Sequence, residues 1–193
     1  MDNPRTLDEL KQAIVGSWES ISVELRPTED RTGAGKIDPT YLRRIFSYGT
    51  DDTFTGTIMM YGDNYGQLPL FEFEFHGHLN WRGPHPIADG AYEVDYVLDR
   101  AFRVTPQNPQ AAEMLNAIPA EGVDPFEAGI TQDILKKPFP LFNIAADQVV
   151  SDYDLLYLKN GMLFFGAKHV DGTPFDLPER RPHQLQVPLV RAS

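Results

Sequence analysis

The stretch from residue 70 to residue 81, LFEFEFHGHLNW, alternates apolar and polar side chains residue by residue. Because successive side chains of a β-strand point to opposite faces, this alternation predicts a strand with two chemically different faces. Phe71, Phe73 and Phe75 share one face, and we expect it to look inward, since exposure would leave a large apolar stripe. The opposite face carries the polar side chains Glu72, Glu74, His76 and His78.

Other segments show strand patterns separated by turn residues. The segments SWESISVEL, YLRRIFSYG, TFTGTIMMYG and GAYEVDYVLDRAFRV predict further strands, and we expect Pro27 to end the first of them. In DLLYLKNGMLFFG, Asn160-Gly161 lies between two apolar runs and predicts a type I′ hairpin. Near the C-terminus, HQLQVPLV predicts a short strand whose Pro188 suits an edge or a bulge.

Only two short helices interrupt these strands. The first is TLDELKQAIVG, where Thr6 and Glu9 have the spacing of a capping box. The second lies near residues 109–118, entered through Pro109. About eight to ten strands with so few helices indicate an all-β fold, an antiparallel barrel or sandwich. We expect a single domain over residues 1–193, with residues 1–15 as a helical lead-in.

Composition excludes several classes of function. The chain has 17 Lys and Arg against 28 Asp and Glu, a formal net charge of −11, which argues against nucleic acid as a partner. It has no cysteine, which excludes disulfides, thiolate metal sites and cysteine nucleophiles. The N-terminal segment has no apolar signal region and no segment is apolar for the length of a membrane span, so we expect a cytoplasmic protein without membrane insertion.

Gly16-x-Trp18, which follows the first helix, resembles the first-strand signature of lipocalin and calycin barrels. In those barrels the Trp plugs the closed end, and an Arg from near the last strand stacks on its face, a cation–π contact of about 1–2 kcal/mol. Arg180, Arg181 and Arg191 are the candidates here, and Arg181 is our choice for barrel closure. The alternative is that Trp18 is an ordinary core aromatic.

A wider resemblance covers most of the chain. The segments GSWESISVELRP, TFTGTIMMYGD, GITQDI and NGMLFFGAKHVDG, followed by ERRPHQLQVPLV, resemble one domain of the adenomatosis polyposis coli down-regulated family. Those proteins are membrane-anchored Wnt antagonists, so the resemblance implies a lipocalin-like barrel with a cavity for an acyl chain. Family domains carry cysteines, for instance where Val23 stands here, so the resemblance does not extend to Wnt binding or a cell-surface location.

Our leading hypothesis is that the barrel cavity binds a hydrophobic small molecule such as a polyketide, an isoprenoid or an acyl chain. The phenylalanine face would line the cavity, and Arg26 would meet a polar ligand end at the mouth; Glu24-x-Arg26 also fits a structural salt bridge. The alternative for the phenylalanines is a packed core without ligand. The expected ligand-binding residues are Arg26, Met59, Tyr61, Phe71, Phe73, Phe75 and Phe165.

The second hypothesis is an enzyme, a cofactor-free cyclase or isomerase of a natural-product pathway. It requires the polar face of residues 70–81 to look inward, where His76, His78 and Glu74 would act as acid and base; Tyr61 and Arg26 are a second pair. The two histidines with Glu74 also have a spacing that metals accept, and His85, His169 or His183 would have to complete the shell. We expect neither metal nor cofactor, and the alternative for this face is solvation. The segment RTGAGK lacks the spacing of a nucleotide-binding loop.

Overall fold

In the computed structural model, residues 4–29, 37–169 and 173–192 are described. They form an antiparallel sheet with two short α-helices. The elements are α1 Leu7–Ile14, β1 Gly16–Ser20, β2 Glu24–Glu29, β3 Ile37–Tyr48, β4 Thr53–Tyr61, β5 Pro69–Pro84, β6 Ala91–Pro106, α2 Pro109–Asn116, β7 Gln132–Asp133, β8 Val150–Lys159, β9 Met162–Phe165 and β10 Leu189–Arg191. Short 3₁₀ turns lie at Pro140–Phe142 and Pro178–Arg180.

The sheet curls until its ends meet. Its strands follow the order β1-β10-β9-β8-β6-β5-β4-β3, and β1 also pairs with β3, which closes the ring. β2 pairs with β3 beyond the end of β1, and β7 pairs with β6. The prediction of an all-β antiparallel barrel with two short helices is confirmed.

Local sequence signals explain both helices. At α1, the Thr6 hydroxyl accepts from the Glu9 N–H and the Glu9 carboxylate accepts from the Thr6 N–H, which confirms the capping box. At α2, the Asn108 side chain accepts from the Ala111 N–H, and Pro109 lies in the first turn. The helix ends at Asn116, two residues before the predicted end.

The first predicted strand is two strands. β1 ends at Ser20, and β2 begins at Glu24 and continues through Pro27. Pro27 therefore does not end the strand, because β3 is the one strand that pairs with β2 in the described part of the chain, and an edge strand tolerates proline. The Asn160-Gly161 turn between β8 and β9 is confirmed, with φ of 52° and 73°. β10 starts only after Pro188.

The longest connection runs from residue 107 to residue 149 and is named here the β6–β8 connection. It contains α2, β7 and the 3₁₀ turn Pro140–Phe142. Ala111 and Leu115 of α2 are buried, so this connection packs on the sheet rather than extending into solvent. Over the described ranges, no helix has the length and apolarity that crossing a membrane requires. The segment RTGAGK, residues 31–36, lies outside the described residues.

Candidate functional site

The phenylalanine face of β5 looks inward, as predicted. Phe71 pairs with Pro106 and Phe75 pairs with Phe102, so these side chains share the face that the core occupies. Phe71 is 5% exposed and Phe73 is 1% exposed. The alternative hypothesis, in which the polar face of β5 looks into the barrel, is therefore wrong.

The β6–β8 connection covers this face with its own rings. Phe73 lies 5.0 Å from Phe142 and 6.4 Å from Phe139, measured between ring centroids, and Phe102 lies 5.9 Å from Phe139. We name the set the aromatic cluster. The protein thus fills the space before its phenylalanines with its own side chains, which matches the packed-core alternative. The members are Phe71, Phe73, Phe75, Phe102, Phe126, Ile134, Phe139 and Phe142.

Met59 lies on the outer face, which corrects our expectation that it faces inward with Phe71, and Tyr61 pairs with Pro69 beyond a register shift. Met59 pairs with Glu72, whereas Met60 pairs with Phe71 and packs against the core. Since strand side chains alternate, a displacement of one residue exchanges the two faces. A register shift between Met60 and Tyr61 adds to the difficulty of predicting this end of β4.

The expected catalytic residues lie on the outer face of β5 in two separate pairs. His76 Nε2 lies 2.5 Å from Glu74 Oε1, which also accepts from Arg103 at 2.7 Å. His78 Nδ1 lies 2.8 Å from Asp99 Oδ2. All these side chains are about one-third exposed. The two imidazoles therefore occupy ion pairs on a partly solvated surface and share no inner cavity.

Trp18 contacts both α1 and β10. Its side chain is buried, its indole N–H donates to the Ile14 carbonyl at 2.7 Å, and a guanidinium lies 4.6 Å over its ring. That guanidinium belongs to Arg191 rather than Arg181, because Arg191 pairs directly with Trp18 across β10 and β1. Gly16 leaves room for it: a Cβ there would lie 2.8 Å from Arg191 Nη1.

Arg181, our choice for closure, occupies a different site. It is 7% exposed and donates to Asp95 Oδ1 at 2.6 Å, and its other terminal nitrogen donates to the carbonyls of Val94 and Asp154. Arg82 binds the second oxygen of Asp95. This cluster anchors the segment before β10 to β6 and β8, so the role of Arg181 is structural.

A second interior region is polar. Glu24 is 3% exposed and both its oxygens are occupied: Oε1 accepts from Ser20 at 2.6 Å and from Arg44 at 2.9 Å, and Oε2 accepts from Arg26 at 2.9 Å. The salt bridge predicted for Glu24 and Arg26 is confirmed. Burial, followed by the nearby charge of Arg44, lowers the pKa of Arg26. We name Ser20, Glu24, Arg26 and Arg44 the polar cluster.

Arg44 is the residue that the sequence analysis missed. It is 4% exposed, its Nη2 donates to the Val187 carbonyl at 2.8 Å, and its guanidinium lies 5.0 Å over the Phe165 ring. Phe165 is buried and faces inward, as predicted. Nη1 of Arg44 is buried without a hydrogen-bond partner in the part of the chain that the structure describes. An unsatisfied buried donor costs about 1–3 kcal/mol, so a hydrogen-bond acceptor at this atom would stabilise the protein.

Next to the polar cluster lie a carboxyl group and two phenols. Asp154 is 7% exposed, and its Oδ1 accepts from the N–H groups of Leu155 and Gly166. Burial raises the pKa of Asp154 to about 7. The hydroxyls of Tyr48 and Tyr96 bond each other at 2.7 Å, and burial raises the pKa of both well above the ordinary tyrosine value.

An apolar pocket of about 210 Å³ lies within the β6–β8 connection. Met114 and Ile118 are about half exposed at its rim, whereas Leu115, Phe126 and Phe139 are buried. Phe126 and Phe139 also belong to the aromatic cluster, so this pocket lies on the cover of the barrel rather than among the expected ligand residues. Its lining is Met114, Leu115, Asn116, Ile118, Pro119, Ala120, Val123, Asp124, Pro125, Phe126, Phe139, Pro140 and Leu141.

The histidines that a metal site would need are dispersed. His85 is buried and accepts from the Ile87 N–H, with the His183 ring 6.2 Å away. His169 Nε2 lies 3.3 Å from the Arg180 carbonyl. Within residues 4–29, 37–169 and 173–192, no three histidine or carboxylate side chains are grouped to hold a metal ion. No family model matches the chain.

Proposed function

We propose that the protein binds a hydrophobic small molecule in the pocket between α2 and the 3₁₀ turn Pro140–Phe142. The volume and lining of this pocket carry the proposal: about 210 Å³ of space bounded mostly by aliphatic, proline and aromatic side chains. Such cavities favour apolar ligands, since a dry apolar cavity of about 150 Å³ in another protein takes up benzene. The pocket therefore suits a molecule somewhat larger than benzene, such as a small isoprenoid or a short acyl chain.

The size of the pocket also sets the affinity. A ligand that buries about as much surface as one aromatic side chain, about 200 Å², gains about 5 kcal/mol at about 25 cal/mol per Å². Before the translational and rotational cost of association is subtracted, this free energy corresponds to a dissociation constant of the order of 0.1–1 mM, which is the tightest binding that this apolar contact supports. A ligand with a polar group that Asn116 or Asp124 could hydrogen-bond would bind more tightly.

Two exposed isoleucines provide a matched test. Ile118 lines the pocket and is 49% exposed, whereas Ile130 lies outside the lining and is 54% exposed. We expect toluene and limonene to perturb the backbone amide resonances of Ala120 and Val123 saturably in a heteronuclear NMR titration. Ile118→Glu should weaken binding about tenfold or more, because it places a charge beside the ligand, and Ile130→Glu should leave binding unchanged.

Equal effects of the two substitutions, or resonance changes confined to other regions, would contradict the proposal.

The cyclase or isomerase hypothesis and kinship with the adenomatosis polyposis coli down-regulated family remain predictions. An enzyme of this kind would need acid–base groups other than His76, His78 and Glu74, which are paired on the outer face. Asp154 is a buried carboxyl group whose pKa burial raises to about 7.

A further inference from the structure

The polar cluster holds more positive charge than its own residues balance. Two guanidinium groups, of Arg26 and Arg44, bond the single carboxylate of Glu24. Both oxygens of Glu24 are already occupied, so Glu24 has no free position for a further donor. The Asp154 carboxyl group also acts on both arginines, but burial raises its pKa to about 7, so it balances this charge only in part near neutral pH.

The orientation of Arg44 is held from several sides. Its Nε bonds Glu24, its Nη2 bonds the Val187 carbonyl, and its plane contacts Phe165. Nη1 is the remaining nitrogen, and it is buried and unpartnered among the described residues. A guanidinium held in place with a free N–H is a preorganised donor, which is the arrangement that binds oxyanions strongly.

We infer that Nη1 of Arg44, together with the charge of Arg26, binds the carboxylate group of a small organic acid inside the barrel. The rings of Phe46 and Phe165 contact each other, with centroids 5.0 Å apart, and the guanidinium of Arg44 lies over Phe165, so the organic part of the acid would lie against these rings. This site is separate from the pocket beside α2 and does not depend on the function proposed for that pocket.

Arg26 of β2 marks the side from which the polar cluster reaches solvent. In the described ranges β2 pairs with β3 alone. Arg44 of β3 bonds the carbonyl of Val187, which lies just before β10. The Arg26 side chain is 18% exposed, so the polar cluster reaches solvent. The neighbouring ionisable groups are Asp152 and Asp154 on β8, Tyr48 on β3 and Tyr96 on β6.

Benzoate and benzyl alcohol form a matched pair of probes, since they share a ring and differ in the carboxylate. We expect benzoate to shift the guanidinium resonances of Arg44 in a nitrogen-detected NMR titration, and benzyl alcohol to leave them unchanged. Arg44→Gln should weaken benzoate binding about tenfold or more, because a charged hydrogen bond is lost. Arg103→Gln, on the outer face, should not affect it.

Several outcomes overturn this inference. They are equal responses to the two probes, unchanged benzoate affinity of folded Arg44→Gln protein, and equal displacement of benzoate by chloride or inorganic phosphate. If Arg44→Gln does not fold, the wild-type guanidinium resonances and Arg26→Gln decide the question. Running the titration also on Ile118→Glu protein separates the two sites: it should bind benzoate normally even if toluene binding is lost.

Discussion

The aromatic cluster and the polar cluster both lie inside the barrel, but their buried side chains find partners to different extents. In the aromatic cluster, the β6–β8 connection supplies partner rings, so that Phe73 is 1% exposed and touches only the protein's own groups. In the polar cluster, Arg44 is 4% exposed and still has a nitrogen without a partner in the described ranges. Apolar surface can be satisfied by any well-fitting neighbour, whereas a donor needs a specific acceptor.

The two regions therefore contribute differently to stability. A packed aromatic region stabilises the fold, and its evolution can change rings without changing charge. A buried, incompletely satisfied charge costs stability. The following predictions test the contrast between the two regions.

The largest expected effect is in the aromatic cluster. Phe73→Ala should lower the free energy of unfolding by about 3–5 kcal/mol, because it leaves a cavity between β5 and the 3₁₀ turn. Urea denaturation followed by fluorescence measures this loss. Phe142→Ala, at a ring that is 42% exposed, should cost clearly less. Equal losses would mean that the connection does not cover the phenylalanine face as described.

In the polar cluster, a double substitution should lower the free energy of unfolding by less than the single substitution of Glu24. Glu24→Gln should destabilise the protein by about 3 kcal/mol, because two guanidiniums lose their carboxylate. The double variant Glu24→Gln with Arg44→Met should recover part of that loss, since one uncompensated charge is removed. Additive losses in a double-mutant cycle would show that Glu24 and Arg44 do not interact.

The pH dependence of stability should report on Asp154. Its pKa is about 7 in the folded protein and about 3.9 in an unfolded chain. The native state therefore binds the proton more tightly, so this group stabilises the fold below pH 4, and that contribution falls as pH rises to 7. The slope is at most about 1.4 kcal/mol per pH unit.

Asp154→Asn should reduce this slope, because an amide oxygen still accepts from Leu155 and Gly166 but does not titrate. The part of the slope due to Asp152, whose pKa burial raises to about 6, should remain. Denaturation midpoints measured between pH 4 and 8 provide the test. Asp124→Asn, at an exposed position, is the control and should keep the slope of the wild type. A wild-type stability that rises steadily from pH 5 to 7, unaltered in Asp154→Asn, would contradict the assignment.

The smallest effect is expected on the outer face. The double variant His76→Ala with His78→Ala should change the free energy of unfolding by less than about 1 kcal/mol, because partly exposed ion pairs contribute little. Thermal denaturation measures this change. A much larger loss would show that these side chains do more than occupy a solvated surface.

Residue-by-residue alternation was enough to predict the all-β class and the inward face of β5. The Asn160-Gly161 pair between two apolar runs predicted the hairpin. The same alternation could have found Arg44, which shares the inward parity of Leu42, Phe46 and Tyr48 in YLRRIFSY. Its position in an Arg-Arg pair obscured that signal, since either arginine reads as an ordinary solvated side chain.

By itself, the sequence determined which side chains share a face, because alternation is a local property of an extended chain. Only the tertiary structure decided what each face meets: the rings of the β6–β8 connection on Phe73, Arg191 rather than Arg181 on Trp18, and the shared carboxylate between Arg26 and Arg44. Those contacts join residues far apart in the chain, and they depend on strand register and loop path, which no local pattern encodes.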